Sequence, residues 1–281
     1  MPPPYDGRLE PAYAVAVWKS MERARVPGWL GPAAIVGAFV TLVWLEHRRP
    51  LRRTVESKAR RTARNLAIAS LSATTIRLAE KPVVEPLARA AERHGWGLVP
   101  RLNLPRTAEA ALSILLLDYT LYVWHVLTHR VDLLWRFHRV HHADRDLDAS
   151  TALRFHFAEM ALSVPWRAAQ VLLIGVKPGD LRLWQTLTLL EILFHHSAVR
   201  LPVGLERRLV RLVVTPRMHG IHHSRELDEM GSNWSSGLTV WDRLHGTLRL
   251  DVPQERIVIG VEGCEADDVT LGKMLVLPAR A

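Results

Sequence analysis

Three short windows hold the side chains best suited to bind a transition metal: His125-Val-Leu-Thr-His129, His138-Arg-Val-His141-His142 and His219-Gly-Ile-His222-His223. Eight of the fourteen histidines fall within them. On a helix, positions i, i+3 and i+4 share one face, so His125 and His129 form a two-ligand edge and each HxxHH forms a three-ligand edge. Neutral imidazole suits iron, zinc, copper and nickel, and one ion takes about four to six ligands. Eight convergent imidazoles therefore imply two ions. A lone histidine is ordinarily a core or surface residue, which is the reading for His47 and His94.

Composition narrows the chemistry. Cys264 is the only cysteine, so an intrachain disulfide and thiolate metal sites are excluded, and nitrogen and oxygen must hold the metals. The hydrophobic content of 48% is ordinary, but apolar residues concentrate in runs at 32–45, 108–126, 168–176 and 181–194, which read as membrane segments. The formal charge is +9, and much of the excess sits in Arg48, Arg49, Arg52, Arg53, Lys58, Arg60, Arg61 and Arg64, directly after the first apolar run. That is the positive-inside pattern of a cytoplasmic loop. No nucleic-acid recognition motif accompanies it, so nucleic acid is not an expected partner.

These elements order the chain around the histidines. Residues 1–28 are proline-rich around a short amphipathic stretch at 12–18 and do not read as a signal peptide. A first span at 29–46 is bounded by Trp29 and Trp44, a second is expected at 63–79, and 80–106 reads as a connecting loop. The strongest apolar helix, 108–128, carries Asp118, Tyr122, His125 and His129 on one stripe. Asp118 is expected either to orient His125 or a neighbouring ligand or to tie two helices together. Residues 158–176, interrupted by Pro165, form a kinked or re-entrant segment, and 181–194 returns to end at His195-His196, with Glu191 one turn earlier. Thr215-Pro216 reads as an N-cap followed by proline at the first helical position. A short strand from Arg256 and a tail complete the chain. With the basic loop inside, successive crossings bring every histidine cluster to one face.

Laid out in this order, the motifs resemble the fatty acid hydroxylase / sterol desaturase superfamily of membrane di-iron oxygenases. The resemblance runs from Asp118 to Thr247. It rests on Asp118-Tyr, Tyr122, His125 and His129, on Leu134-Trp-Arg-Phe-His-Arg-Val-His-His142, on Thr151-Ala-Leu-Arg-Phe-His156, on Phe194-His-His-Ser197 with Arg200-Leu-Pro202, on Val214-Thr-Pro-Arg-Met-His-Gly-Ile-His-His-Ser224 and on Trp241-Asp-Arg-Leu-His-Gly-Thr247. It implies His125, His129, His138, His141, His142, His219, His222 and His223 as metal ligands. His196 matches a further histidine of the family, and His195 and His156 are additional, less regular candidates. Phe157, Ala198 and His245 depart from the family's usual residues without removing a ligand.

The resemblance implies an all-α integral membrane helical bundle with a cytoplasmic, histidine-rich di-metal cap. Residues 1–107 would supply membrane helices and the basic loop, 108–250 the catalytic part and 251–281 a tail, within one structural unit. It further implies two iron ions, O2 as co-substrate, a separate electron-transfer protein and a lipid substrate entering from the bilayer. Hydroxylation, desaturation and ether-lipid cleavage begin with the same hydrogen abstraction. A di-zinc membrane hydrolase and a non-catalytic metal-binding membrane protein are the alternatives. The first calls for bridging carboxylates, which the ligand windows lack, and the second for ligands strung across the membrane.

Overall fold

The computed structural model describes residues 27–265 and 269–280; the amphipathic stretch at 12–18 lies outside them. The described residues are helical, with no strand beyond isolated bridges. Helix α1 (Leu30–Arg48) leads to α2 (Lys58–Thr75), which passes through a π-helical turn (Ile76–Glu80) into α3 (Lys81–His94). Then follow α4 (Arg106–Arg130), α5 (Asp132–His142), α6 (Phe157–Ile174) and α7 (Pro178–His196). The shorter α8 (Val203–Leu209), α9 (Pro216–His222), α10 (Leu227–Met230), α11 (Val240–Leu244) and α12 (Leu271–Val276) close one end.

Two helices, α1 and α4, are long and apolar enough to cross a membrane. Along α1 the apolar side chains face outward, with Val36 and Val40 each more than 60% exposed. An apolar face of this kind in water would be a large uncovered patch, whereas hydrocarbon covers it without cost. Leu66 and Leu71 on α2, Leu173 on α6 and Leu183 on α7 are also exposed. Of these, α2 and α7 were expected to span and α6 to span with a kink or re-enter; each is long enough, but none is as apolar over a spanning length as α1 and α4. Pro165 lies inside a continuous α6 and does not divide it.

The bundle is closed by small residues and a compact apolar core. Gly31 brings α1 against α7, where a Cβ would stand 3.1 Å from Thr186 Oγ1. At the other end Gly97 and Gly175, both at positive φ, let two backbones meet where any side chain would overlap. Val84, Ala88, Leu117, Val171, Ile174, Leu181 and Trp184 form the core that α3, α4, α6 and α7 share. The 80–106 segment is thus no simple loop: α3 is amphipathic and buries Val84, Ala88 and Ala91. Its mixed charges and prolines concealed that face, and Pro86 in the middle of the helix is the kind of residue that argues against one.

The expected strand from Arg256 also fails to form. Instead, Arg225 donates to the Val258 carbonyl at 2.9 Å and Gly260 to that of His223 at 3.2 Å, so the segment laces directly onto the end of α9. The Thr215 prediction holds: its hydroxyl accepts from the Met218 amide and starts α9 at Pro216.

Part of the basic run is structural. Lys58, Arg60, Arg61 and Arg64 lie on α2, and Arg61 is wholly buried among Asp144 (3.0 Å), Asp146 (3.5 Å) and Asp148 (2.7 Å). Burial alone would lower the Arg61 pKa and raise that of Asp144, but the ion pairs outweigh it, holding Arg61 above and Asp144 below their ordinary values. The more distant Asp146 is pushed up by burial. Asn65 and Arg154 complete the network, with Arg154 Nη1 on Asn65 Oδ1 at 2.8 Å and Asn65 Nδ2 on Asp144 Oδ2 at 2.8 Å. It fixes the chain immediately after His142. Removing one member of a buried ion network leaves unpaired charge, so Arg61→Ala is expected to lose about 3 to 5 kcal/mol. Denaturant unfolding of the full chain in detergent measures this.

Candidate metal centre

Four helices deliver the histidines. α4 carries His125 and His129, α5 carries His138, His141 and His142, α7 ends in His195 and His196, and α9 carries His219 and His222 with His223 at its cap. All of these except the half-buried His129 are buried. They separate into two groups, His125, His129, His142 and His222 in one and His141, His196, His219 and His223 in the other. Within each group, one nitrogen from every ring lies within 4.8 Å of the others.

Tautomers provide a test of whether these groups suit a cation. His125 Nδ1 donates to the Trp234 carbonyl at 2.7 Å and His222 Nδ1 to that of Ser232 at 2.8 Å. In neutral rings the opposite nitrogens then carry lone pairs only. Those two Nε2 atoms stand 3.1 Å apart, where two lone pairs repel and a shared cation would hold them. Metal–nitrogen bonds of about 2.0 to 2.1 Å place tetrahedral ligands about 3.3 Å apart, close to what is seen. In the second group, His196 Nε2 is 3.0 Å from the Nε2 atoms of both His141 and His219, and His219 Nε2 is 3.0 Å from that of His223. His196 Nδ1 donates to the Ile192 carbonyl at 2.8 Å, so its Nε2 too is a pure acceptor.

Burial favours the neutral form of the rings that α5, α7 and α9 bring to the two groups. It pushes His222 down to about 3, only partly offset by the Ser232 carbonyl, and with neighbouring histidines holds His141, His142, His219 and His223 well below the usual range. Metal coordination requires the neutral form. Several ring nitrogens, including both of His142 and Nε2 of His129 and His138, are buried without a protein partner. Each would cost about 1 to 3 kcal/mol if left unsatisfied. The donor set fits two metal ions.

The remaining candidates fall in three places. His138 stands outside both groups, but its ring touches His129 at 4.8 Å and His142 at 5.1 Å, with Nε2 free toward them. His195 flanks the second group, its ring 4.1 Å from that of His219. His156 is not a ligand candidate in this fold: its Nδ1 accepts from the Ala158 amide at 3.1 Å, capping α6, and its Nε2 donates to the Leu275 carbonyl at 3.2 Å. Both nitrogens are used.

For Asp118 the contacts match the helix-tying alternative. Its carboxylate accepts from Trp241 Nε1 at 2.7 Å and the Leu238 amide at 3.1 Å, so it ties α4 to the segment covering the site. The carboxylate that does hold a site histidine is Glu159, whose Oε1 accepts from His138 Nδ1 at 2.8 Å. Spacing gave no sign of it, since Glu159 lies on a different helix. The other supports are the Ser232 and Trp234 carbonyls. That segment is fixed by Asp242, which accepts from the Trp234 and Ser235 amides at 2.8 and 3.0 Å, and by Asn233 at positive φ. The motif residues around Trp241 were visible, but a carbonyl contact has no residue signature. Of the unusual positions, His245 stacks on Tyr122 at 5.0 Å, Phe157 packs its ring tilted against His156 at 4.3 Å, and the Ala198 amide donates to Glu46 at 3.0 Å.

Replacing Glu159 by leucine frees the His138 ring to turn. A loss of about 10 to 100-fold in metal affinity is expected, as for other partners that orient metal-bound histidines; competition with a chelator would measure it.

Fold and site together define an all-helical protein with membrane-type helices and a buried histidine centre able to hold two metals. Residues 110–247 match the family model for fatty acid hydroxylase. Through that segment the chain belongs to the fatty acid hydroxylase family. It is 28% identical over 246 residues to an ornithine lipid hydroxylase of Rhizobium tropici, covering 84% of this chain and 70% of that one. It is 28% identical to the alkylglycerol monooxygenase of Homo sapiens, covering 51% of this chain but 31% of the relative. With a cholesterol 25-hydroxylase-like protein of Danio rerio the identity is 32%, covering 51% of this chain and 56% of the relative. No solved structure matches significantly.

Proposed function

We propose that the protein is a membrane di-iron oxygenase that inserts one oxygen atom from O2 into a C–H bond of a lipid. The observation that carries this reading is the pair of adjoining all-imidazole groups, His125/His129/His142/His222 and His141/His196/His219/His223. The family relatives named above act on lipids as hydroxylases or monooxygenases, which favours hydroxylation over desaturation. The overall balance is RH + O2 + two electrons + two protons giving ROH + H2O. Two ferrous ions would supply the electrons that activate O2, work for which side chains alone are unsuited, and a separate electron-transfer protein would replenish them.

The chain's own part is to position and protect. The eight imidazoles of the two groups would hold the ions, with His138 and His195 beside them as further ligands. Trp234, Ser232 and Ile192 carbonyls and the Glu159 carboxylate fix ring tautomers, so each lone pair stays aimed inward. The segment around Asn233 and Asp242 covers the centre and excludes water. The exposed Arg48, Arg49, Arg53 and Arg60 beside α1 support a cytoplasmic placement of this face. A hydrolase would need a bridging carboxylate and a general base, and neither group includes a carboxylate.

The test is lipid mass spectrometry of cells expressing the protein or its His141→Ala variant under isotopically heavy O2. One heavy oxygen should appear in a lipid class only with the unmodified protein. A product whose new oxygen comes from water would replace this reading with hydrolysis.

A further inference from the structure

Against the basic segment that follows α1 lies a cavity of about 930 Å³, lined by Arg52, Arg53, Arg145 and Arg200 and by four carboxylates, of which Glu46, Asp146 and Asp148 are paired with Lys58 and Arg61 and Glu255 is exposed at the edge. Arg52 is the member that stands out. Its Nη2 donates to the Pro216 carbonyl at 3.1 Å and to Gln254 Oε1 at 2.5 Å. Its Nε and Nη1 are shut from solvent without a partner. The guanidinium lies so close to the α9 backbone that a Cβ on Gly220 would overlap it and push the Arg52 side chain aside. Other basic residues on this wall are already neutralised: Lys58 by Glu46 at 2.6 Å, and Arg61 by the three aspartates. Among the described residues, no acidic side chain pairs with Arg52, Arg53, Arg145 or Arg200. Burial and the nearby Arg217 cation pull the Arg52 pKa down to about 10, against an opposite pull from Glu206.

A second, shallower cavity of about 460 Å³ shares Pro50 and Arg200 with the first and is lined by Arg48 and Arg49. A basic track therefore runs from the end of the membrane-type helix α1, where lipid phosphates would lie, to Arg52. We propose that this cavity binds a phosphate-class oxyanion, with Arg52 and Arg145 as its principal donors and a phospholipid headgroup as its source. Guanidinium offers paired N–H donors that match phosphate oxygens, and a volume of this size accommodates a headgroup. The site is separate from the histidine centre and does not depend on the oxygenase reading. It adjoins that centre through α9, so occupancy of the cavity would brace the helix that carries His219 and His222.

Titration calorimetry on the whole 281-residue chain in neutral detergent tests this with three probes: inorganic phosphate, dioctanoyl phosphatidic acid and dioctanoylglycerol. Phosphatidic acid is expected to bind, and Arg52→Gln and Arg145→Gln are each expected to weaken it by about tenfold or more, the scale of a lost charge-assisted hydrogen bond. Phosphatidic acid binding more tightly than phosphate identifies the headgroup as the source; equal binding of both, lost in the variants, retains the oxyanion site but assigns it to a free anion. Binding of dioctanoylglycerol as tight as that of phosphatidic acid, no binding of either phosphate probe, or binding unchanged in both variants overturns the proposal. Bound metal per chain, measured on every variant, shows whether the fold is intact. Should Arg52→Gln disturb α9, Arg145→Gln carries the test, because no hydrogen bond or ion pair links that side chain to the histidine helices.

Discussion

Alanine at His222 is expected to remove metal from the His125 group and to abolish O2-dependent turnover. His222 is fully buried, its Nδ1 is held by the Ser232 carbonyl, and its Nε2 is 3.1 Å from that of His125. Its loss therefore removes a fixed, inward-facing imidazole and leaves a buried void. Changing a residue that merely orients a ligand costs about 10 to 100-fold, so loss of the ligand should exceed 100-fold. His125→Ala and His141→Ala should behave alike. His94 and His47 provide the controls: one stacks on Trp96 at 5.0 Å and the other bonds its own helix at the Val43 carbonyl, both exposed. Their alanine variants should keep metal and activity. Steady-state oxygen uptake, with bound iron measured on the same samples, distinguishes these outcomes. Full activity in His222→Ala would remove the residue from the site.

Why the histidines were legible while their supports were not follows from how each is encoded. Helical spacing places His125 above His129 and gathers HxxHH on one face, so convergence could be read from residue types alone. The division into two groups is subtler. Adjacent helical residues diverge by about 100°, and in the structure His141 goes to one group while His142 goes to the other. The third motif splits likewise, His222 against His219 and His223. Which neighbour goes where depends on how α4, α5, α7 and α9 pack, and local periodicity does not contain that. Glu159 approaches His138 from another helix, and the Trp234 and Ser232 contacts use backbone carbonyls that any residue would supply. Asp118 shows the same limit: its place on the histidines' stripe of α4 left an orienting role and a helix tie equally open, and two helical turns carry it away to the Trp241 indole. Similarly, the run from Arg48 to Arg64 signals orientation by composition, while burial of Arg61 becomes visible only when the 144–148 loop folds over α2.

The division into groups also determines how much metal the chain should hold. Each of the two groups offers four imidazole nitrogens without sharing a residue, and neither includes a carboxylate. If a single ion were bound, one group would keep several inward lone pairs buried and unsatisfied, at about 1 to 3 kcal/mol for each such polar atom. Two ions use both sets. Anaerobic reconstitution of the full chain with ferrous iron is therefore expected to load two ions and to restore O2 uptake. Zinc should bind the same nitrogens and block that uptake, because it has no redox chemistry. Single substitutions should divide the load: His129→Ala should spare the ion held by His141, His196, His219 and His223, whereas His219→Ala should spare the other. Each variant then retains about one ion while losing turnover, since activation of O2 is assigned to both. A stoichiometry of one in the unmodified protein, or activity with zinc in the absence of O2, would instead point to a single-site or hydrolytic protein. Loss of both ions in either variant would show that the groups fill only together, a coupling the adjoining His141 and His142 on α5 are placed to transmit.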